Sequence, residues 1–193
     1  MLEKTPSRPE QMLLFARNFV KHPVMLGSLI PSSRFLIEQV LKQIDWRRAR
    51  AIVEYGPGVG TFTTEILRRL HPDGVLMVIE TNAEFVRFLQ MSIRDPRLRV
   101  IHGSAADVGK LLQEHGLETA DYVISGIPFS TMPEEVRDSI LRTTHDVLRP
   151  NGAFLVYQFS AKVRPYLEKV FGRVQRDSEI RNILPARLFF CSP

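Results

Sequence analysis

Residues Ala51 to Thr61 read AIVEYGPGVGT, a β-branched apolar run that carries an acid and opens into three closely spaced glycines. Such a run, followed by a helical pattern, predicts a strand, a tight turn and a helix. Glycine at Gly56, Gly58 and Gly60 lets the backbone turn sharply and approach a ligand that a Cβ would hold away. The spacing narrows the ligand. A dinucleotide site uses G-x-G-x-x-G with the pyrophosphate at the helix N-terminus. Here the third glycine comes one residue early, and Thr61 stands where that pattern has glycine. Glu54, two residues before the first glycine, would repel a pyrophosphate and suits a cationic ligand that carries an ammonium group.

A second acid follows at a telling distance. Gly74 to Ile79 (GVLMVI) reads as another buried strand, and Glu80 ends it. That is about 20 residues beyond Gly60, the offset at which a strand-end carboxylate reaches ribose hydroxyls. The pattern then keeps alternating. Strands are predicted at Ala51 to Tyr55, Val75 to Ile79, Leu98 to Ile101, Ala120 to Ser125 and Ala153 to Phe159. Helices are predicted between them, over Thr61 to Leu70, Ala83 to Ile93, Ala105 to Glu114 and Pro133 to Val147, with Pro150-Asn151-Gly152 as a turn. A helix over Lys162 to Phe171 and strands around Val174 to Ile180 and Ala186 to Cys191 complete the chain. Strands separated by helices imply an α/β fold with a mostly parallel, doubly wound sheet and ligands at the carboxyl ends of the strands. Glu54, Glu80, Ser104 and Ser125 all fall at such ends.

Ahead of the glycine loop, Pro9 to Lys21 is helical in pattern and Ser33 to Gln43 predicts a second helix, capped by Ser32 or Ser33. The first 50 residues hold nine Lys or Arg against four Asp or Glu, so they carry the whole +5 excess; the other 17 of each balance. A basic segment of this kind suits a polyanionic partner, nucleic acid or an anionic membrane surface. The apolar face of Pro9 to Lys21, with Arg17 and Lys21, can lie among lipid headgroups or close over the site as a lid. Residues 1–45 are read as this N-terminal segment and 46–193 as the α/β domain that carries the glycine loop. The single cysteine, Cys191, leaves no internal disulfide and no multi-cysteine metal site, which fits a reducing, cytoplasmic compartment. The longest uncharged apolar stretch near the N-terminus, Pro23 to Ser33, is too short to span a bilayer.

The E-x-G-x-G-x-G of Glu54 to Gly60 resembles the first motif of the class I S-adenosylmethionine-dependent methyltransferases. That resemblance implies a Rossmann-like, seven-stranded, mostly parallel sheet whose last strand is antiparallel, with helices ahead of it at the N-terminus. It implies S-adenosylmethionine as cofactor, with Glu54, Gly56, Gly58 and Gly60 around its amino-acid end. Glu80 and Thr81 would meet the ribose, and Ser104 and Ala105 the adenine. Many members carry an acid directly after Gly103; this chain has Ser104, and Asp107 either substitutes for it or caps the next helix. Ser125-Gly126-Ile127-Pro128-Phe129 falls where enzymes acting on nucleobase amines carry Asn or Asp, then prolines, then an aromatic. Gly126 stands in the Asn position, so the side-chain acceptor is missing.

Two flanking segments are more specific. HPVMLGSLIPSSRFL (His22 to Leu36) and RNILPARLFF (Arg181 to Phe190) are similar to stretches of the bacterial phospholipid N-methyltransferases, with Leu184 in place of a proline. The family shades into proteins resembling rRNA adenine dimethyltransferases. The resemblance implies methylation of phosphatidylethanolamine, or a related amino lipid, by a monomeric enzyme bound peripherally at the inner face of the membrane. Ser125 and Tyr157 would orient or deprotonate the amine, Pro128 and Phe129 would shape its pocket, and Arg181 and Arg187 would take the lipid phosphate. No metal is expected. RNA as the acceptor, and a protein that binds the cofactor without turnover, are the alternatives.

Overall fold

A computed structural model describes residues 33–179 and 186–193. Helix α1 (Arg34–Leu41) comes first, with the Ser33 hydroxyl accepting from the Leu36 N–H as its cap. Then follow β1 (Ala51–Tyr55), α2 (Thr61–Arg69), β2 (Val75–Glu80), α3 (Ala83–Ser92) and β3 (Leu98–His102). After them come α4 (Val108–Glu114), β4 (Ala120–Ser125), α5 (Glu134–Val147), β5 (Leu148–Gln158), α6 (Arg164–Val170), β6 (Arg173–Glu179) and β7 (Ala186–Ser192). The predicted helix over Pro9 to Lys21 lies outside the described residues.

The seven strands form one sheet in the order β3-β2-β1-β4-β5-β7-β6. The first five are parallel; β7 runs antiparallel to both β5 and β6 and lies between them. Parallel strands are covered by helices on both faces, so they read as unbroken apolar runs. Every residue of β1 is buried, as is nearly all of β2. The edge strand β6 exposes Arg173 and Arg176 where an apolar edge would invite further pairing.

Two apolar clusters flank the sheet. One, around Val53, Tyr55, Phe154 and Phe171, packs beneath α4, α5 and α6. The other joins Ile52, Val78 and Ile124 to α2 and to Leu36, Ile37, Val40 and Leu41 of α1. Residues 34–41 thus share the core of the catalytic domain. The Pro150-Asn151-Gly152 turn proves to be an excursion within β5: Ala120 pairs with Leu148 and Tyr122 already with Ala153. Proline offers no N–H to a ladder, and a Cβ on Gly152 would lie 2.7 Å from the Asp121 carbonyl.

Candidate active site

At the carboxyl end of β1 the chain enters the glycine loop. Gly56, Gly58 and Gly60 have φ of 66°, 56° and 80°, a left-handed backbone that side chains with a Cβ rarely adopt. The loop is also crowded, since a Cβ on Gly56 would lie 2.6 Å from Cγ2 of Ile127. Gly60 caps α2, and α2 returns two residues to the site. The Thr63 hydroxyl donates to Glu54 Oε2 at 2.7 Å, and Phe62 stacks on Tyr157 with ring centroids 4.6 Å apart.

Glu54 is 1% exposed, and its Oε1 is buried with no hydrogen-bond partner. An unpaired buried carboxylate costs several kcal/mol, more than the roughly 1 kcal/mol of one ordinary hydrogen bond. Burial therefore pushes its carboxyl up to about 8, against the Thr63 bond and with help from the neighbouring Glu80 charge. Burial also raises Glu80, but backbone donors oppose it there. Glu80 Oε2 accepts from the Gly58 N–H at 3.2 Å and Oε1 from the Asn82 N–H at 2.9 Å.

A cavity of about 230 Å³ opens on the other side of the loop, lined by Gly56, Gly58, Glu80, Thr81, Ser104 and Ala105 among others. Ile79, Phe85 and Ile140 make much of its wall apolar, while Glu80 supplies a fixed acceptor. That combination suits an adenosine: an apolar slot for the base and a carboxylate for ribose hydroxyls. The orphaned Glu54 oxygen suits an ammonium group, and the left-handed glycines leave room for the chain joining the two. The residues present fit S-adenosylmethionine. A larger cavity, about 360 Å³, lies at the opposite ends of the strands beside Asp121 and Arg149. Its Asp121 carboxylate is used up by the Arg50 and Ala51 N–H groups and the Arg149 guanidinium, so it marks a structural seam.

The remaining expected residues divide. Pro128 lines the cavity, and the Ser104 hydroxyl accepts from the Ala106 N–H, capping the turn Ala105–Asp107. Asp107 makes no such cap, which corrects the alternative raised for it. Ser125 is fully buried and its hydroxyl accepts from the Ile127 N–H at 3.4 Å. Phe129 corrects another expectation. It is fully buried edge-on to Phe154, at 6.1 Å between centroids, because the turn after Pro128 directs it into the core. Arg187 is exposed on β7, opposite Gln158; Arg181 lies outside the described residues. Gln158 belongs to no motif that marks it in advance. Its amide donates to the Ile127 carbonyl at 2.6 Å, tying the loop after β4 to β5, and its buried Oε1 has no partner. Met132 and Val136 complete the cavity rim, and neither belongs to a motif.

An open sheet with a glycine loop, two strand-end acids and an adenosine-sized slot defines a nucleoside-cofactor enzyme of the Rossmann-like class. Residues 26–182 match the Methyltransferase small domain family, and the chain belongs to it. It is an S-adenosylmethionine-dependent methyltransferase. It is 33% identical over 184 residues to an ornithine lipid N-methyltransferase of Singulisphaera acidiphila, covering 94% of this chain and 96% of that one. Among solved structures, a precorrin-6y C5,15-methyltransferase of Geobacter metallireducens superposes with a TM-score of 0.63 at 14% identity, covering 81% of this chain and 86% of that one. A 16S rRNA methyltransferase of T. thermophilus, in complex with AdoMet and guanosine, gives 0.59 at 21% identity, covering 86% of this chain and 43% of that one. These two likenesses concern the fold.

Proposed function

We propose that this methyltransferase N-methylates the headgroup amine of an amino lipid, of the ornithine-lipid or phosphatidylethanolamine type, at a membrane surface. The observation that carries this reading is the near full-length similarity to a relative named for that activity. The absence of a side-chain acceptor at Gly126 supports it.

S-adenosylmethionine, when bound, supplies a methyl group on a sulfonium: the amine lone pair forms the N–C bond as the C–S bond breaks, and the nitrogen then sheds a proton to water. Such a displacement asks mainly for alignment and desolvation. Glu54 would hold the cofactor's ammonium, Glu80 and Thr81 its ribose, and Ser104 and Ala105 its base. Ser125, as a buried anchor for the Ile127 N–H, would fix the loop after β4, with Pro128 shaping its wall. Tyr157 would orient the amine, and its ring can hold the growing cation. Arg181 and Arg187 would take the headgroup's phosphate or carboxylate, which a guanidinium meets bidentately. The basic N-terminal residues would hold the enzyme at an anionic surface, at roughly 1 kcal/mol for each Lys or Arg. Among the described residues no helix is long and apolar enough to cross a membrane, and no cluster suits a metal ion.

A radiolabelled-methyl assay on total lipid beside total RNA tests the reading. Label should enter an amino lipid. Label in RNA alone would reject the lipid and promote the RNA alternative. Changing Arg17 and Lys21 to Glu should weaken binding to anionic vesicles more than to neutral ones; equal loss on both would remove the electrostatic contact.

A further inference from the structure

The end of β4 carries no side chain at Gly126, yet the space for one is filled. A Cβ on Gly126 would lie 2.4 Å from both Cζ and the hydroxyl oxygen of Tyr157. Backbone conformation does not require glycine there, since the described residues with positive φ are Gly56, Gly58, Gly60 and Gly116. The tyrosine requires it. Ser125 pairs with Val156 in the β4–β5 ladder, so the next step along both strands brings Gly126 against Tyr157.

The ring is held in place from α2. Phe62 stacks on it with the planes 15° apart, and the next residue, Thr63, holds Glu54. On the far side, Ile127 follows Gly126 and packs on Gly56 of the glycine loop. Gln158, the neighbour of Tyr157, grips the Ile127 carbonyl. The phenol is thus fixed between the end of β4 and α2, next to the loop that Gln158 ties to β5.

Resting on the amine-methylation reading, we propose that the Tyr157 hydroxyl reads the acceptor amine in the place a polar side chain on residue 126 would take. Gly126 and Tyr157 then form one specificity unit drawn from two strands. A phenol oxygen accepts an N–H from a neutral amine, which leaves the nitrogen lone pair to face the methyl group. The ring edge takes up room that a flat base would need to lie across this strand end. A slender aliphatic amine needs no such room.

The test is a double-mutant cycle on Gly126→Ala and Tyr157→Ala, with Tyr157→Phe beside it. Activity is measured on whichever fraction of total lipid or total RNA the wild-type enzyme labels, and cofactor affinity by calorimetry. Each alanine variant should lower kcat/KM about tenfold or more, and the double variant should be no worse than Tyr157→Ala alone to within about twofold. Cofactor affinity should hold within about threefold throughout. Tyr157→Phe keeps the ring and its stack, so a purely structural ring predicts wild-type kinetics; loss of the hydroxyl should instead lower kcat/KM about fivefold or more. Multiplicative losses in the double variant, or an unimpaired Tyr157→Phe, would overturn the proposal. If Gly126→Ala does not fold, Tyr157→Phe decides alone. Label found only in RNA would sink the lipid reading and with it the exclusion of a flat base by the ring, while Tyr157→Phe would still report whether the hydroxyl meets the acceptor.

Discussion

Glu80, at the end of β2, accepts a hydrogen bond at 3.2 Å from the backbone N–H of Gly58, 22 residues earlier in the chain. One carboxylate thereby ties the apex of the glycine loop to the neighbouring strand. With its other oxygen on the Asn82 N–H, the group is oriented before any ligand arrives. The Thr81 N–H and hydroxyl also donate to this carboxylate, so a ribose hydroxyl would take the place of the Thr81 hydroxyl on it. Glu80→Ala should therefore weaken S-adenosylmethionine binding by about 1–3 kcal/mol, the range for hydrogen bonds to a charged group. Calorimetry with the unreacted cofactor reads this directly. Unchanged affinity would place the ribose elsewhere.

Glu54 predicts a proton linkage. Its folded carboxyl sits at about 8 against an ordinary 4.5, so the folded apoprotein holds a proton that the unfolded chain has released across that window. The stabilisation is full below about pH 4.5 and is lost as pH rises toward 8. The apoprotein's melting temperature should fall from pH 5 to 8 more steeply than that of Glu54→Gln. Some slope should survive in the variant, because Glu80 is shifted in the same direction. An ammonium placed against Oε1 favours the ionised form, so cofactor binding near pH 7 should release protons. Calorimetry in two buffers of different ionisation enthalpy measures that release, and its absence would separate Glu54 from the ammonium.

Much of this arrangement is legible in the sequence, for physical reasons that differ by element. AIVEY and VLMVIE are buried on both faces, so their strands appear as apolar runs with an acid at or next to the carboxyl end. The glycine loop is legible because its left-handed backbone excludes most other residues. The position of β7 between β5 and β6 is not legible, since antiparallel pairing leaves no mark in the order of elements. Phe129 looks like a site aromatic because its motif neighbours face the cavity, but the turn Phe129–Thr131 sends it into the core. The fit of Tyr157 over Gly126 depends on the register of two strands, which local patterns do not encode.

Two glycines on helices make opposite predictions. Gly60, the cap of α2, has φ of 80°, and a Cβ there would lie 2.6 Å from Leu89 Cδ2. Gly60→Ala should destabilise the fold by at least about 1–2 kcal/mol, the cost of a left-handed residue with a Cβ. Gly109, within α4, has no positive φ, and its Cβ would make ordinary contacts at 3.6 Å with Thr143 and Val147. Gly109→Ala should stabilise by about 0.5–1 kcal/mol through lower unfolded-state entropy. Denaturant unfolding of both variants checks the pair; similar midpoints would contradict the backbone argument.

Arg187 allows the lipid reading to be tested away from the cofactor. It lies on β7, paired in register with Gln158 of β5 and Ser178 of β6, and its side chain is exposed. Gln158 holds the Ile127 carbonyl, so this stretch of β7 borders the loop that would face the acceptor. A guanidinium here contributes little to folding, and an exposed substitution of this kind usually changes stability by about 0.5 kcal/mol or less. A phosphate or carboxylate on the headgroup meets it equally before and during methyl transfer. Loss of such a uniform contact raises KM and leaves kcat nearly unchanged. Arg187→Ala should therefore raise the apparent KM for amino lipid severalfold, with cofactor affinity and melting temperature as in the wild type. Arg187→Lys should recover part of the loss, since a lysine keeps the charge without the bidentate fork. A fall in kcat at constant KM would instead place Arg187 in the alignment of the reacting amine and remove it from anion binding.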